Sequence, residues 1–187
     1  MTSVILMTGS RSWNNVQVSA DALSATLIML GVTEKQAALR HGASRGADTL
    51  LARTAEGLGI ATQAVPAQWD RHTEQCPPWD RQNATCKLAG HRRNSIMIAA
   101  GANICLAFPT HAMSLQPGED SKDTSRGTWD CATKAKDAGI PTLVVWGDHF
   151  FPFGQPGAEL LQRAATQRGL QLGPSLSAPI LGIWLPF

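Results

Sequence analysis

Several features that would settle the class of a protein at once are missing from these 187 residues. No apolar run approaches the ~20 residues that a membrane-spanning helix needs, so no membrane partner is expected. The opening MTSVILMTGSRSW has no basic n-region and enters a strand-like run at once, so a signal peptide is not expected and the chain is read as cytoplasmic. Cysteine occurs only four times, too few for a disulfide-built scaffold of this size, and reduced thiols are the expectation. Charge of one sign is scarce too: 16 Lys and Arg against 14 Asp and Glu leave a net charge of +2. So small a surplus argues against an extended nucleic-acid track, while the pI of 8.5 permits an anionic small molecule. No internal repeat or low-complexity tract interrupts the pattern. What remains is a chain that is 43% hydrophobic, too apolar for intrinsic disorder and long enough to bury one core.

Apolar, β-prone runs recur along the chain, each closed by glycine or proline and followed by a helical pattern. Val4, Ile5, Leu6 and Met7 end at Thr8-Gly9, and then Leu23, Leu27 and Leu30 mark one face of a helix stopped by Gly31. A strand near residues 36–40 ends at His41-Gly42, and its helix carries Leu51, Ala55 and Leu58 on one stripe before Gly59. Residues 60–65 read as a third strand. Residues 68–89 are polar, aromatic and cysteine-bearing, an insertion into the rhythm. Helix is expected at 92–100, strand at 103–108, a mobile loop rich in Ser, Asp, Gly and Pro over 110–124, helix at 128–138 and strand at 141–146. Strands alternating with helices predict an α/β domain, residues 1–150, with a parallel sheet covered on both faces. Residues 151–187 form a C-terminal extension: FFPFGQPG reads as a loop, 158–168 as a short helix, and the apolar tail is expected to pack on the domain or on a partner subunit.

Chemistry concentrates in four segments placed where strand gives way to helix: Thr8, Gly9, Ser10 and Arg11; His41 to Asp48, reading HGASRGAD; Gly90, His91, Arg92, Arg93 and Asn94; and Ser125, Arg126, Gly127 and Thr128. Ligands of open parallel sheets bind beyond the carboxyl ends of the strands. Glycine lets backbone approach a phosphate, helix N-terminal N–H groups donate to it, and arginine pairs with it in bidentate fashion. Each segment alone reads equally as turn and cap chemistry. Their recurrence, each with arginine, points to an anionic, phosphorylated ligand held by Gly9, Ser10, Arg11, Gly42, Ser44, Arg45, Gly46, Arg93, Asn94, Ser125, Arg126, Gly127 and Thr128.

The motifs TGSRSW, HGASRGADTLLA, PAQWD, AGHRRNSIM, ICLAFP and SRGTWDCA, in this order over residues 4–147, resemble the SLOG superfamily, most of all its YspA/YpsA-related branch of bacteria and phages. The resemblance implies a Rossmann-like three-layer sandwich and a nucleotide or nucleotide-derived ligand. Its relatives include the DprA DNA-processing proteins and the LOG phosphoribohydrolases. The latter carry GGxGTxxE, with a catalytic glutamate. Here Gly127 and Thr128 match the GT pair and Arg93-Asn94 resemble the arginine-bearing motif, but Thr124 and Ser125 stand for the first two glycines and Cys131 for the glutamate. Protonating a leaving base suits a carboxylate rather than a thiol. Asp130, one residue earlier, is turned about 100° around a helix. Asp48 is another candidate acid, equally readable as a cap or a ribose-hydroxyl ligand.

Within the insertion, His72, Cys76, Cys86 and His91 are spaced as four zinc-ligand types in one irregular stretch. Two reduced half-buried thiols, or a Cys76–Cys86 disulfide, fit the same residues. Cys105 is read as core. Trp69 or Trp13 is read as a ligand contact and Trp79 as a pin holding the loop to the sheet. His41, His111 and His149 are given surface or satisfied polar roles. The expectation is a binder of a nucleotide or nucleotide derivative, acting as a sensor or sequestering protein in a bacterium or, if phage-encoded, in host cytoplasm. The alternative is an N-glycosidic-bond hydrolase using Asp48, Arg93 and Asp130; single-stranded DNA binding ranks third. A homo-oligomer is expected from the apolar tail.

Overall fold

A computed structural model describes residues 1–111, 125–172 and 177–180. In chain order these residues form β1 (Ser3–Gly9), α1 (Val16–Leu30), β2 (Ala37–His41), α2 (Ala47–Gly57), β3 (Ala61–Ala64), α3 (Pro78–Arg81), α4 (Ala89–Ala99), β4 (Ile104–Phe108), α5 (Arg126–Asp137), β5 (Thr142–Trp146), β6 (His149–Pro152), α6 (Gln155–Gln167) and β7 (Ala178–Pro179). The strands make one sheet in the order β3-β2-β1-β4-β5-β6-β7; β1 to β5 run parallel and β6 and β7 antiparallel. This is an α/β, Rossmann-like architecture.

The central strands are buried on both faces, as a covered parallel sheet requires. Ile5, Met7, Leu39, Ile104, Leu106, Leu143 and Val145 point to one side, where Leu23, Leu27, Leu51, Leu160 and Leu161 cover them. On the other side Leu6 and Cys105 meet Met97, Cys131 and Ala135. Local signals set the helix ends. Asn15 Oδ1 accepts the Val18 N–H at 3.0 Å, capping α1, and Gly31, with φ of 65°, ends it in the left-handed conformation glycine tolerates.

The extension departs from expectation. Phe150, Phe151 and Pro152, read as loop, belong to β6, which pairs with β5 through the two-residue turn Gly147-Asp148. Residue 150 thus lies inside a strand of the continuous sheet, and Phe150, Leu161, Ala178 and Ile180 join the main core. Leu58 is exposed rather than on the buried stripe of α2. The expected mobile loop lies, from residue 112, outside the described residues, as do residues 181–187 of the tail. No described helix is long and apolar enough to cross a membrane.

Candidate functional site

β1 connects forward to β2 on one side while β4 lies on its other side, so the crevice beyond their C-terminal ends is a topological switch point. A hollow of about 260 Å³ occupies it, near the lower end of the roughly 300–1,000 Å³ of small-molecule sites. Residues 8–11 are the end of β1 and its exit, Ser44 and Asp48 enter α2, Gly90, His91, Arg93 and Asn94 begin α4, and residues 125–128 begin α5. Trp69 and Lys87 reach in from the insertion.

The head of α5 is held with care. Thr110 donates its N–H to Ser125 Oγ at 3.0 Å and its hydroxyl to Ser10 Oγ at 2.9 Å, joining the loops after β1 and β4 to the start of the helix. Ser125 has φ of 52°, and Ala43, beside Ser44, has φ of 54°. These left-handed conformations cost a non-glycine residue about 1–3 kcal/mol each and gather at sites where geometry is imposed. The first turn of α5 aims N–H groups that have no partner within the helix toward the hollow, and the dipole adds positive potential. Arg11 and Arg126 are exposed beside it, and among the described residues no carboxylate pairs with either.

Arg93 is positioned differently. Its Nη1 donates to the Gly42 carbonyl and lies 3.8 Å from Asp48 Oδ2, and its Nε donates to Asn94 Oδ1 at 2.9 Å. Asn94 in turn donates to the Gly127 carbonyl at 3.2 Å and to Asp130 Oδ2 at 2.9 Å, locking α4 to α5. Burial raises the Asp48 pKa above the ordinary value, although the Ser44 N–H, at 3.1 Å, and Arg93 oppose the shift. Burial also works against charge on Asp130, but Asn94, His91 and Lys134 outweigh it and hold that carboxyl below the ordinary value. His41, buried, is pushed down by desolvation; its Nδ1 accepts the Ala43 N–H at 3.2 Å.

Of the expected ligand residues, Gly42, Arg45 and Gly46 do not line the hollow, nor does Asp130. The two glycines serve packing: a Cβ on Gly42 would overlap the Arg93 guanidinium, and one on Gly46, at φ of 78°, would strike the Arg11 backbone. Arg45 is exposed. Cys131, at the place of the glutamate, is fully buried behind the site, and desolvation pushes its thiol up to about 12. Asp48 is the one carboxylate among the described lining residues. Trp13 packs edge-on against Phe108 at 5.2 Å and bonds Ser19, so it is core rather than ligand contact. Trp69 lines the hollow over Gly90, whereas Trp79 is exposed with the Lys87 ammonium 5.7 Å from its ring. Sequence reasoning passed over Thr110 and Lys87; a hydroxyl just past the strand-ending Phe108-Pro109 is the signal that marks the first.

In the insertion, His72, Cys76, Asp80 and Cys86 place one donor atom each within 4.8 Å of one another, a set able to hold a metal ion. His91 is not part of it. α4 begins at Ala89 and carries His91 toward α5, where its Nδ1 lies 3.0 Å from Asp130. Asp80 takes its place. The Cys76 thiol is drawn down to about 6, first by the Thr73 N–H.

The model of the YspA, cpYpsA-related SLOG family matches residues 3–72. Gene 61 protein of Mycobacterium phage D29 is 32% identical over 149 residues, covering 77% of this chain and 96% of that protein. DNA processing protein A from Streptococcus pneumoniae superposes with a TM-score of 0.50 at 15% identity, over 93% of this chain and 59% of that one, so the chain spans under two thirds of it. DNA processing protein A from Helicobacter pylori, described for its single-stranded DNA binding mode, gives 0.46 at 14% identity, over 86% and 72%. The Streptococcus pneumoniae structure overturns the exclusion of nucleic acid drawn from net charge: the fold occurs in a DNA processing protein. The physical reason is that local placement of cations such as Arg11 and Arg126, not the chain total, sets the potential a phosphate meets. By its motifs, its fold and its phage relative, the chain belongs to the SLOG superfamily, in the YspA, cpYpsA-related branch.

Proposed function

We propose that the switch-point cleft binds a nucleotide or nucleotide-derived phosphorylated ligand, and that the protein acts in the cytoplasm as a sensor or sequestering protein for it. One observation carries this reading: the start of α5 faces the hollow between two arginines, Arg11 and Arg126, that no described carboxylate neutralises. A phosphate at that point gains helix N–H groups, the dipole and two guanidinium partners. Trp69 offers an indole face for the base, and Asp48 or Asn94 a polar partner for the sugar. The phage relative fits a setting of infection.

Thermal shift and calorimetry against a panel of nucleoside phosphates and dinucleotides test it. At a hundredfold excess over Kd a ligand stabilises by about 2.7 kcal/mol, roughly 5–11 °C in Tm for a chain of this size. Arg126→Gln is expected to abolish the shift without lowering the Tm of the free protein. A flat response to the whole panel overturns the reading; a shift given by a short single-stranded oligonucleotide and by no mononucleotide replaces it with nucleic-acid binding.

A second reading, cleavage of an N-glycosidic bond, is favoured by Asp48 alone. It is buried in the cleft, where desolvation moves its pKa upward, the direction a general acid for a leaving base requires. Release of free base from a bound nucleotide, lost in Asp48→Asn with binding retained, is its signature.

A further inference from the structure

The insertion contains a buried polar cluster that the cleft does not use. Cys76 and Cys86 are both fully buried, with sulfurs 3.5 Å apart, and Asp80 Oδ2 lies 3.3 Å from Cys86 Sγ and 3.7 Å from His72 Nδ1. Around it the insertion has almost no hydrophobic core: Cys76, Cys86 and Ala89, with Ala67 and Leu88 against them. Burying a carboxylate and two thiols where so little apolar surface is gained costs stability unless something compensates.

The orientation of His72 is the telling detail. Its Nε2 lies 2.9 Å from the Asn83 carbonyl, which can only accept, so the hydrogen sits on Nε2 and Nδ1 carries a lone pair. That Nδ1 is buried and has no hydrogen-bond partner among the described residues, and it faces the two sulfurs and the carboxylate. A ligand imidazole whose far N–H is anchored on a backbone carbonyl is the arrangement that outer-shell bonds impose at metal sites. The sulfurs are treated likewise. The Thr73 N–H points at Cys76 Sγ at 3.4 Å, and Arg92 Nη1 lies 3.0 Å from both sulfurs.

We propose that His72, Cys76, Asp80 and Cys86 bind one zinc ion that staples the insertion to α4. Two thiolates select a soft or borderline ion over calcium or magnesium, and four protein donors complete the shell of a structural zinc site. Two thiolates and a carboxylate balance the charge of the ion together with the Arg92 guanidinium, so the buried group is neutral as a whole. Binding releases the thiol protons to solvent. The staple acts on the neighbouring cleft as well. Asp80 Oδ1 accepts the Lys87 N–H at 3.1 Å, and Cys86 donates its N–H to the Trp69 carbonyl at 2.7 Å, so two of the ligands hold the backbone of the two residues that enter the hollow. This last consequence rests on the proposed nucleotide reading; the metal site does not.

The test is metal analysis of the full chain purified under reducing conditions, followed by chelator stripping and titration with cobalt(II). About one zinc per chain is expected, and cobalt should give thiolate charge-transfer bands together with the intense visible bands of a tetrahedral ion. Cys76→Ser and Asp80→Ala should lose the metal and His91→Ala should keep it, while Arg92→Gln should weaken affinity roughly 10–100-fold. A chain that carries no zinc and gives no thiolate band with cobalt overturns the proposal, as does zinc lost in His91→Ala but kept in Asp80→Ala. So does a Cys76–Cys86 disulfide that persists under reductant. Should the variants fail to fold, the cobalt spectrum of the natural chain decides alone. Stripping should also weaken any nucleotide shift seen in the thermal assay; a metal site present with no nucleotide shift at all leaves the staple standing and removes only the nucleotide reading.

Discussion

The sheet and the insertion that interrupts it hold together by opposite means. In the sheet, Leu39, Leu106, Leu143 and their neighbours vanish from solvent between two helical layers, and backbone pairing is continuous from β3 to β7. Between β3 and α4 the chain forms one short helix, α3, and is tied by side chains: Arg81 to the Cys76 carbonyl at 2.7 Å, Arg92 to the Arg71 carbonyl at 2.6 Å, Asp80 to the Lys87 N–H. Burial is cumulative and tolerates local damage; a polar web fails when one member goes. The lesson is that one chain can carry a self-sufficient scaffold and, a few residues away, a wall of the cleft whose order depends on a handful of donors and acceptors.

The largest effect should come from the scaffold. Leu106→Ala leaves a void at the centre of the sheet and is expected to cost about 2–5 kcal/mol of global stability, read as a drop in denaturant midpoint with every probe moving together. Asp80→Ala should instead open the insertion alone, by about 1–3 kcal/mol, because the Lys87 N–H loses its acceptor. Hydrogen exchange should quicken over residues 68–88 while β1 and β4 stay protected. If both regions lose protection equally, the contrast is wrong. Asn15→Ala removes the cap of α1 and should cost about 1 kcal/mol, with no change in the insertion.

The smallest effect is a pH dependence. His41 has its folded pKa lowered by burial from 6.5, so the unfolded chain binds the proton more readily. Its contribution is complete above about pH 6.5 and is lost as pH falls through that value toward the lowered one. His41→Asn, which can still accept the Ala43 N–H, should flatten this acid limb. A limb of unchanged slope would assign the loss to other groups. Asp48 acts with the opposite sign: its raised folded pKa means stability declines as pH climbs from 3.8 toward the raised value.

These contrasts track what could be read in the sequence. The parallel core was legible because its strands are unbroken apolar runs and its helices end at glycines 31, 59, 101 and 139, all with positive φ. β6 was not, since FFPFGQPG offers proline and glycine where alternation should be, and its pairing depends on β5 lying beside it. The lining of the cleft was legible at residues 8–11, at the end of β1, and at residues 125–128, where glycine, serine and arginine open α5. Gly42 and Gly46 lie outside its lining, and a glycine that admits an arginine side chain or a neighbouring backbone looks the same in sequence as one that admits a phosphate. Asp80 was missed because it follows Trp79 in a polar stretch where a carboxylate reads as solvated surface. His91 was drawn into the metal set by nearness along the chain, and the turn of α4 sends it elsewhere.

The hydrogen bond from the Thr110 N–H to Ser125 Oγ carries an implication for how this architecture can be altered. It pinches together the two ends of an excursion of fourteen intervening residues, numbers 111–124, so the anchor points are fixed by the bond and not by the length of what departs and returns. Doubling such an excursion adds only about 0.6 kcal/mol of closure cost. An engineer could therefore splice a reporter peptide or a recognition module between these posts and leave the walls of the cleft in register.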